Sequence, residues 1–176
     1  MPIIATPGAA DANSYETLEA AEIYFEDRLN DEAWTSKTDE VKEDGLITAT
    51  RILDLFLEWV GTIATQTQAL RWPRHGAVDR DGRSYDGTTI PTLVKQATCE
   101  LALWFLQKDR FGQSIFTGMG IKSAKVGPIA VDIDISTDLM RNQQIIPDHI
   151  LTMLQGLGTL SDTGGASDRM VKLVRA

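Results

Sequence analysis

The chain has 176 residues, 43% of them hydrophobic and 24% charged. That is enough for one core, or one core and an arm, and too little for two large domains. Its net charge of −8 is uneven: residues 1–60 hold fourteen acids and four bases, residues 61–176 eleven acids and thirteen bases. An acidic chain repels a phosphate backbone unless a basic face is set apart, so nucleic-acid binding starts at a disadvantage.

Residues 1–14, with two prolines, a glycine and many small residues, read as an extended N-terminal arm. From Thr17 the pattern turns helical: Leu18, Ala21, Phe25 and Leu29 recur at three- and four-residue steps among Glu19, Glu22, Glu26 and Asp27. Thr17 suits the N-cap, and the helix dipole favours acids in the first turn. A second helix is predicted from Thr38 or Asp39 to Val60, with Gly61 as its stop and Val41, Ala49, Ile52, Leu53, Phe56 and Val60 as its apolar stripe.

Gln68 to Pro91 is the most ordered piece of local information. Pro73 locks its own φ and pushes Trp72 out of the helical region, so the preceding helix must have ended. Pro91 does the opposite, because a helix leaves its first N–H groups unpaired anyway. It opens a third helix predicted to run to about Arg110, burying Val94, Ala97, Leu101, Trp104 and Phe105.

Ile129, Val131, Ile133 and Ile135 alternate with Ala130, Asp132 and Asp134, the period of a half-buried strand. Gly127-Pro128 reads as a turn and Ile121 to Val126 as the first arm of a hairpin. A last helix follows from Pro147 to about Leu154. The sequence therefore predicts a mainly α fold, a small bundle of about four helices with an inserted β-hairpin and extended N- and C-terminal arms. Its parts are the arm 1–14, a helical domain 15–160 with the hairpin near 121–135, and a flexible C-terminal docking tail 161–176. That tail ends in Arg169, Met170, Val171, Lys172, Leu173, Val174 and Arg175, an apolar and basic run on a glycine-bearing tether that suits binding to a partner.

No unbroken apolar run approaches the roughly 18 residues of a membrane helix. The longest, from Ile52 to Ala64, carries Asp54 and Glu58. The N-terminus lacks a basic region followed by an apolar stretch, so synthesis in the cytoplasm without export is expected. Cys99 has no second cysteine to pair with and reads as a small buried residue.

The sequence carries no constellation that points to catalysis. His75 and His149 lie far apart without metal-ligand spacing. Asp79-Arg80-Asp81-Gly82 starts like a calcium loop but lacks the later ligands, so a turn explains it better. Gly118 to Ser123 has glycines and Lys122, but Ile121 intervenes and a strand follows, which departs from a phosphate loop. No catalytic residue, metal ligand or cofactor site is expected, and no enzyme. Trp34, Trp59, Trp72 and Trp104 with Arg71 and Arg74 could stack and hold single-stranded bases, although most of these tryptophans lie on or beside apolar stripes, where packing is the commoner fate.

The order Ser14-Tyr15, Thr17-Leu18, Ala20-Ala21, Tyr24-Phe25, Arg28-Leu29, Ala49-Thr50-Arg51, Leu53-Asp54, Gln68-Ala69-Leu70, Trp72-Pro73-Arg74, Ile90-Pro91, Ala97, Glu100-Leu101-Ala102, Lys122-Ser123, Lys125-Val126-Gly127-Pro128 and Val174-Arg175-Ala176 resembles a family of tailed-phage proteins often labelled DnaT-like single-stranded DNA-binding proteins. The resemblance covers nearly the whole chain, and its most specific parts are the Trp72-Pro73-Arg74 and Lys125 to Pro128 elements. It implies a head-to-tail connector, also called an adaptor or head-completion protein: a virion protein of the phage neck, made in the host cytoplasm. Its implied partners are the portal protein, a tail or neck protein (stopper or tail terminator), and copies of itself in an oligomeric ring, commonly of twelve. In that picture the tail, Arg169 to Arg175, reaches the portal or a neighbouring subunit. Double-stranded DNA passes through the channel without specific binding, and no membrane is involved. Trp72, Pro73, Arg74 and Pro91 are then a structural motif. Single-stranded DNA binding is the alternative.

Overall fold

In the computed structural model, which describes residues 2–107, 123–126, 129–132 and 145–161, each long helix begins at a recognisable signal. The Thr17 hydroxyl accepts from the backbone N–H of Ala20 at 3.2 Å and opens α1 (Leu18–Glu26), satisfying one of the donors that every helix start leaves unpaired. A single turn, α2 (Glu32–Thr35), carries Trp34 into the core, and an extended Thr38 precedes α3 (Asp39–Phe56). Pro91 stands one residue before α4 (Thr92–Gln107), where its carbonyl accepts from Val94 and Lys95. Pro147 does the same for Ile150 and Leu151 ahead of α5 (Asp148–Met153).

The strands revise the expected architecture. The backbone is already extended at Leu57, giving β1 (Leu57–Trp59) and β2 (Thr62–Ile63) where a continuous helix to Val60 was predicted. Gly61 between them has φ +79°, and a Cβ there would lie 2.4 Å from the His75 carbonyl oxygen. It is the pivot of a strand connection, not a helix stop. β3 (Arg74–Val78) and β4 (Ser84–Asp86) complete an antiparallel sheet in the order β2-β3-β4, with Ile63 opposite Arg74 and His75 opposite Asp86. The hairpin β5 (Ser123–Val126) and β6 (Ile129–Asp132) pairs Val126 with Ile129, and β7 (Gly158–Leu160) pairs antiparallel with β1, Leu57 opposite Leu160.

The fold is thus mixed α and β, with two small antiparallel sheets besides the hairpin, and not a mainly helical bundle with one hairpin. The reason is physical. Strands of two to five residues carry almost no periodicity of their own, and the partner that makes β1 a strand lies about a hundred residues away in sequence. The first residues are also not an arm. Ile4 and Asn13 exchange hydrogen bonds (Ile4 N to Asn13 Oδ1 2.7 Å, Asn13 N to Ile4 O 2.9 Å), and Ala69 donates to the Ala9 carbonyl, pinning a folded loop against the 68–73 segment. The end of the helix predicted from Pro91 beyond Gln107, most of Gly118 to Ser123, the Gly127-Pro128 turn, Ile133 to Ile135, and the tail residues Arg169 to Arg175 lie outside the described residues.

Helices α3 and α4 pack on one another, and α1, α2 and α5 cover α4. Ala21, Phe25, Trp34, Leu46, Leu53, Val94, Ala97, Leu101, Ile150 and Leu154 form the shared interior. Residues at the ends of the predicted stripes do not join it: Leu29 is 84% exposed, Val41 41% and Val60 42%. The first helix stops at Glu26 and the third at Phe56, so helical periodicity no longer directs Leu29 or Val60 inward.

Two ion pairs fasten α1 to its neighbours. Arg28 meets Glu100 of α4 in a fork, Nε to Oε1 and Nη2 to Oε2 both at 2.8 Å, and the Tyr24 hydroxyl donates to the same carboxylate at 2.9 Å. Lys42 of α3, buried, reaches Glu22 at 2.6 Å and lies 5.6 Å from the Trp34 ring centre. The Arg28 side chain is 30% exposed and that of Glu100 only 11%, so the two halves of the pair are not equivalent. Arg28→Ala strands a buried carboxylate and is expected to cost about 2–4 kcal/mol, whereas Glu100→Ala leaves an arginine that water can reach and should cost about 1–2 kcal/mol. Urea unfolding of both variants checks the order; equal losses would show that burial does not set it.

Candidate interaction surface

The Trp72-Pro73-Arg74 segment is the centre of a buried knot. The Trp72-Pro73 peptide is cis, and the Trp72 indole, 1% exposed, stands edge-on to Trp59 at 5.8 Å and to Tyr85 at 5.9 Å. Tyr15 stands edge-on to Trp59 at 6.4 Å. Four rings from the N-terminal loop, β1, the 72–74 segment and β4 therefore stack in sequence, in the geometry that aromatic quadrupoles favour.

Among the described residues Arg74 donates to backbone carbonyls alone. Its Nε donates to Val60 O at 2.8 Å, Nη1 to Arg71 O at 3.1 Å, and Nη2 to Trp59 O at 3.3 Å and Gly61 O at 2.6 Å. Burial holds its pKa below the usual guanidinium value. The fork closes the β1–β2 connection onto the loop before β3.

Asp54, on α3, is the second node. One carboxylate oxygen accepts from the Tyr15 hydroxyl and from Trp59 Nε1 at 3.1 Å, and the other from the Arg71 backbone N–H at 3.1 Å. Burial raises the Asp54 pKa above the ordinary carboxyl value, and the donated hydrogen bonds oppose that rise without cancelling it. Tyr15 is pushed well up, first by burial and then by the neighbouring carboxylate.

Outside this knot lies a groove of about 510 Å³ between the C-terminal half of α3 and the loop 63–71. Its walls include Leu55, Ile63 and Leu70, and Arg51 and Arg71 stand exposed beside them. Gln68 shapes the loop, accepting from Thr65 N at 2.9 Å and donating to the carbonyls of Leu70 at 2.7 Å and Pro73 at 3.1 Å. Arg51 and Leu55 are one turn apart and off the apolar stripe of Ala49, Ile52, Leu53 and Phe56. That spacing was the one available signal for this surface, and sequence reasoning passed over it. A second groove of about 500 Å³ includes Arg83, Ile90, Leu93 and Lys95, but Lys95 already meets Glu16 at 3.4 Å and Arg83 meets Asp81 at 3.3 Å.

The residues weighed for chemistry are scattered. Trp34, Trp59 and Trp72 are buried and Trp104 packs against the core, so of the residues considered for base stacking only Arg71 is exposed. His75 and His149 are exposed in separate elements, and burial pushes the Cys99 thiol far up. Asp79 accepts from the backbone N–H groups of Arg83 at 2.9 Å and Asp81 at 3.0 Å and from the Tyr85 hydroxyl at 3.1 Å, which hold its pKa below the ordinary value. It fixes the turn between β3 and β4. Among the described residues no group of three or more histidine, cysteine, aspartate and glutamate side chains could hold a metal ion, and no helix is long and apolar enough to cross a membrane.

A lysine at position 74 keeps the charge but offers a point donor in place of a planar fork. Arg74→Lys is therefore expected to lose about 2–4 kcal/mol in urea unfolding, close to the loss in Arg74→Ala. A lysine variant as stable as the parent would show that the carbonyl bonds carry no weight.

No curated protein and no solved structure matches the chain. One family model, described as "Putative DnaT-like ssDNA binding protein", matches residues 1–176. By that match over its whole length, the chain belongs to the family so described.

Proposed function

We propose that this chain is a non-catalytic assembly protein of a tailed phage. It forms a ring in the neck of the virion, between the portal protein and a tail or neck protein, as a head-to-tail connector. The observation that carries this reading is the surface. Leu55 and Ile63, 67% and 45% exposed, share one groove, and Ile23 and Leu29 stand 61% and 84% exposed. The aromatic residues that could have served nucleobases are spent inside the fold. Aliphatic side chains grouped at the surface and bordered by charge suit protein partners. The resemblance carried by Trp72-Pro73-Arg74 and Lys125 to Pro128 supports the same reading, and a net charge of −8 would keep duplex DNA from adhering to the ring as it passes.

The family's description favours a second reading, binding of single-stranded DNA, and the exposed Arg51 and Arg71 are the cations nearest an apolar groove for it. The two differ in one paired measurement. With purified portal protein, a connector co-sediments and gives rings under negative-stain microscopy, while a fluorescent oligothymidine shows no binding at low salt. A single-stranded DNA binder gives a salt-sensitive oligothymidine isotherm, weakened by Arg51→Ala or Arg71→Ala, and no ring. Absence of portal binding and of rings would overturn the connector.

A further inference from the structure

The groove beside Arg71 and the outer face of α1 are opposite in charge and alike in apolar content. Arg51 and Arg71 flank Leu55 and Ile63 at the groove. On α1, Glu19, Ile23 and Glu26 follow one another at steps of four and three, so they share one face of the helix. All three are exposed, Ile23 at 61%. Glu22, on the same face, is occupied by Lys42 at 2.6 Å. Asp54, the carboxylate at the groove, accepts hydrogen bonds from Tyr15, Trp59 and the Arg71 N–H and acts on the Arg71 charge through space, but among the described residues neither Arg51 nor Arg71 has a salt-bridge partner.

We infer that this groove receives the acidic α1 face of a second copy of the chain, Ile23 entering between Leu55 and Ile63 while Glu19 and Glu26 meet Arg51 and Arg71. The inference rests on the ring reading and names its contact surfaces. Three features select this occupant. The charges complement each other and the apolar group at the centre is aliphatic on both sides. The groove includes no aromatic ring on which a base would stack. Ile23 cannot fill the groove of its own chain, because its neighbour Glu22 is tied to Lys42, and thirteen residues, or about 20 Å of helix rise, separate Lys42 from Leu55. Two different patches joined this way make a heterologous contact, which closes into a ring when the rotation per subunit permits.

Charge reversal in solution tests it. Arg51→Glu with Arg71→Glu makes both patches negative, and Glu19→Lys with Glu26→Lys makes both positive. Each double variant alone is expected to self-associate at least about tenfold more weakly in sedimentation velocity, with circular dichroism unchanged. Mixing the two at equal concentration restores association, because each groove then meets a face of opposite sign, and combining all four substitutions in one chain does the same. Rings that persist in either double variant alone would overturn the contact and leave the connector reading standing. A parent chain that stays monomeric at high concentration and on the portal would overturn both. Loss of oligothymidine binding in the arginine double variant, with association unaffected, would instead assign the groove to nucleic acid.

Discussion

A guanidinium taken out of water must find acceptors, and Arg74 finds four backbone carbonyls, those of Trp59, Val60, Gly61 and Arg71. That demand organises the middle of the molecule. It fixes the β1–β2 connection, holds the chain on both sides of Trp72-Pro73, and sets the start of β3 against β2. With Trp72 so placed, its indole can stand edge-on to both Trp59 and Tyr85. Partly satisfied polar groups in a low-dielectric interior are costly, so such a knot favours one arrangement over near neighbours. Arg71 shows the consequence at the surface. Asp54 holds its N–H and Arg74 holds its carbonyl, which pins the main chain from two directions and leaves the Arg71 side chain outside.

What the sequence could show of this follows from the range of each signal. Helix starts are local, so Thr17, Thr38, Pro91 and Pro147 were legible. The burial of Trp72 was legible as well, since a tryptophan next to apolar stripes usually packs. The role of Arg74 was not, because three of its four partners are carbonyls thirteen to fifteen residues away, and no side-chain pattern marks a carbonyl. The same limit hid the sheets. In Leu57-Glu58-Trp59 only two residues are apolar, and they continue a helical stripe as readily as they begin a strand. Pairing with Gly158–Leu160 decides between the two, and pairing is non-local. Leu29 and Val60 were misplaced for a related reason: a periodic stripe says which side of a helix is apolar, not where the helix stops.

Those misplaced residues carry information of their own. Had α1 continued to Leu29, that side chain would have been interior and unremarkable. With the helix ending at Glu26, Arg28 turns back to Glu100 and Leu29 is left in solvent. The same holds at Leu55, which lies off the buried stripe of α3 and is 67% exposed. Exposed apolar residues scattered singly are ordinary on a protein surface. Here two of them share a groove beside exposed arginines, and another sits between glutamates on α1.

The acid-rich first third therefore has a more specific meaning than general solubility. Of its fourteen acids, Glu16, Glu22 and Asp54 are engaged within the fold, while Glu19 and Glu26 remain outside on one helical face. Nucleic acid would be repelled by that face and would find only two arginines and aliphatic walls at the groove. A protein surface with carboxylates around an aliphatic centre would find complementary charge and an apolar seat. On the proposed contact the ligand of the groove is of the kind the chain itself presents, and that reading and the family's nucleic-acid description make opposite demands on the same two arginines.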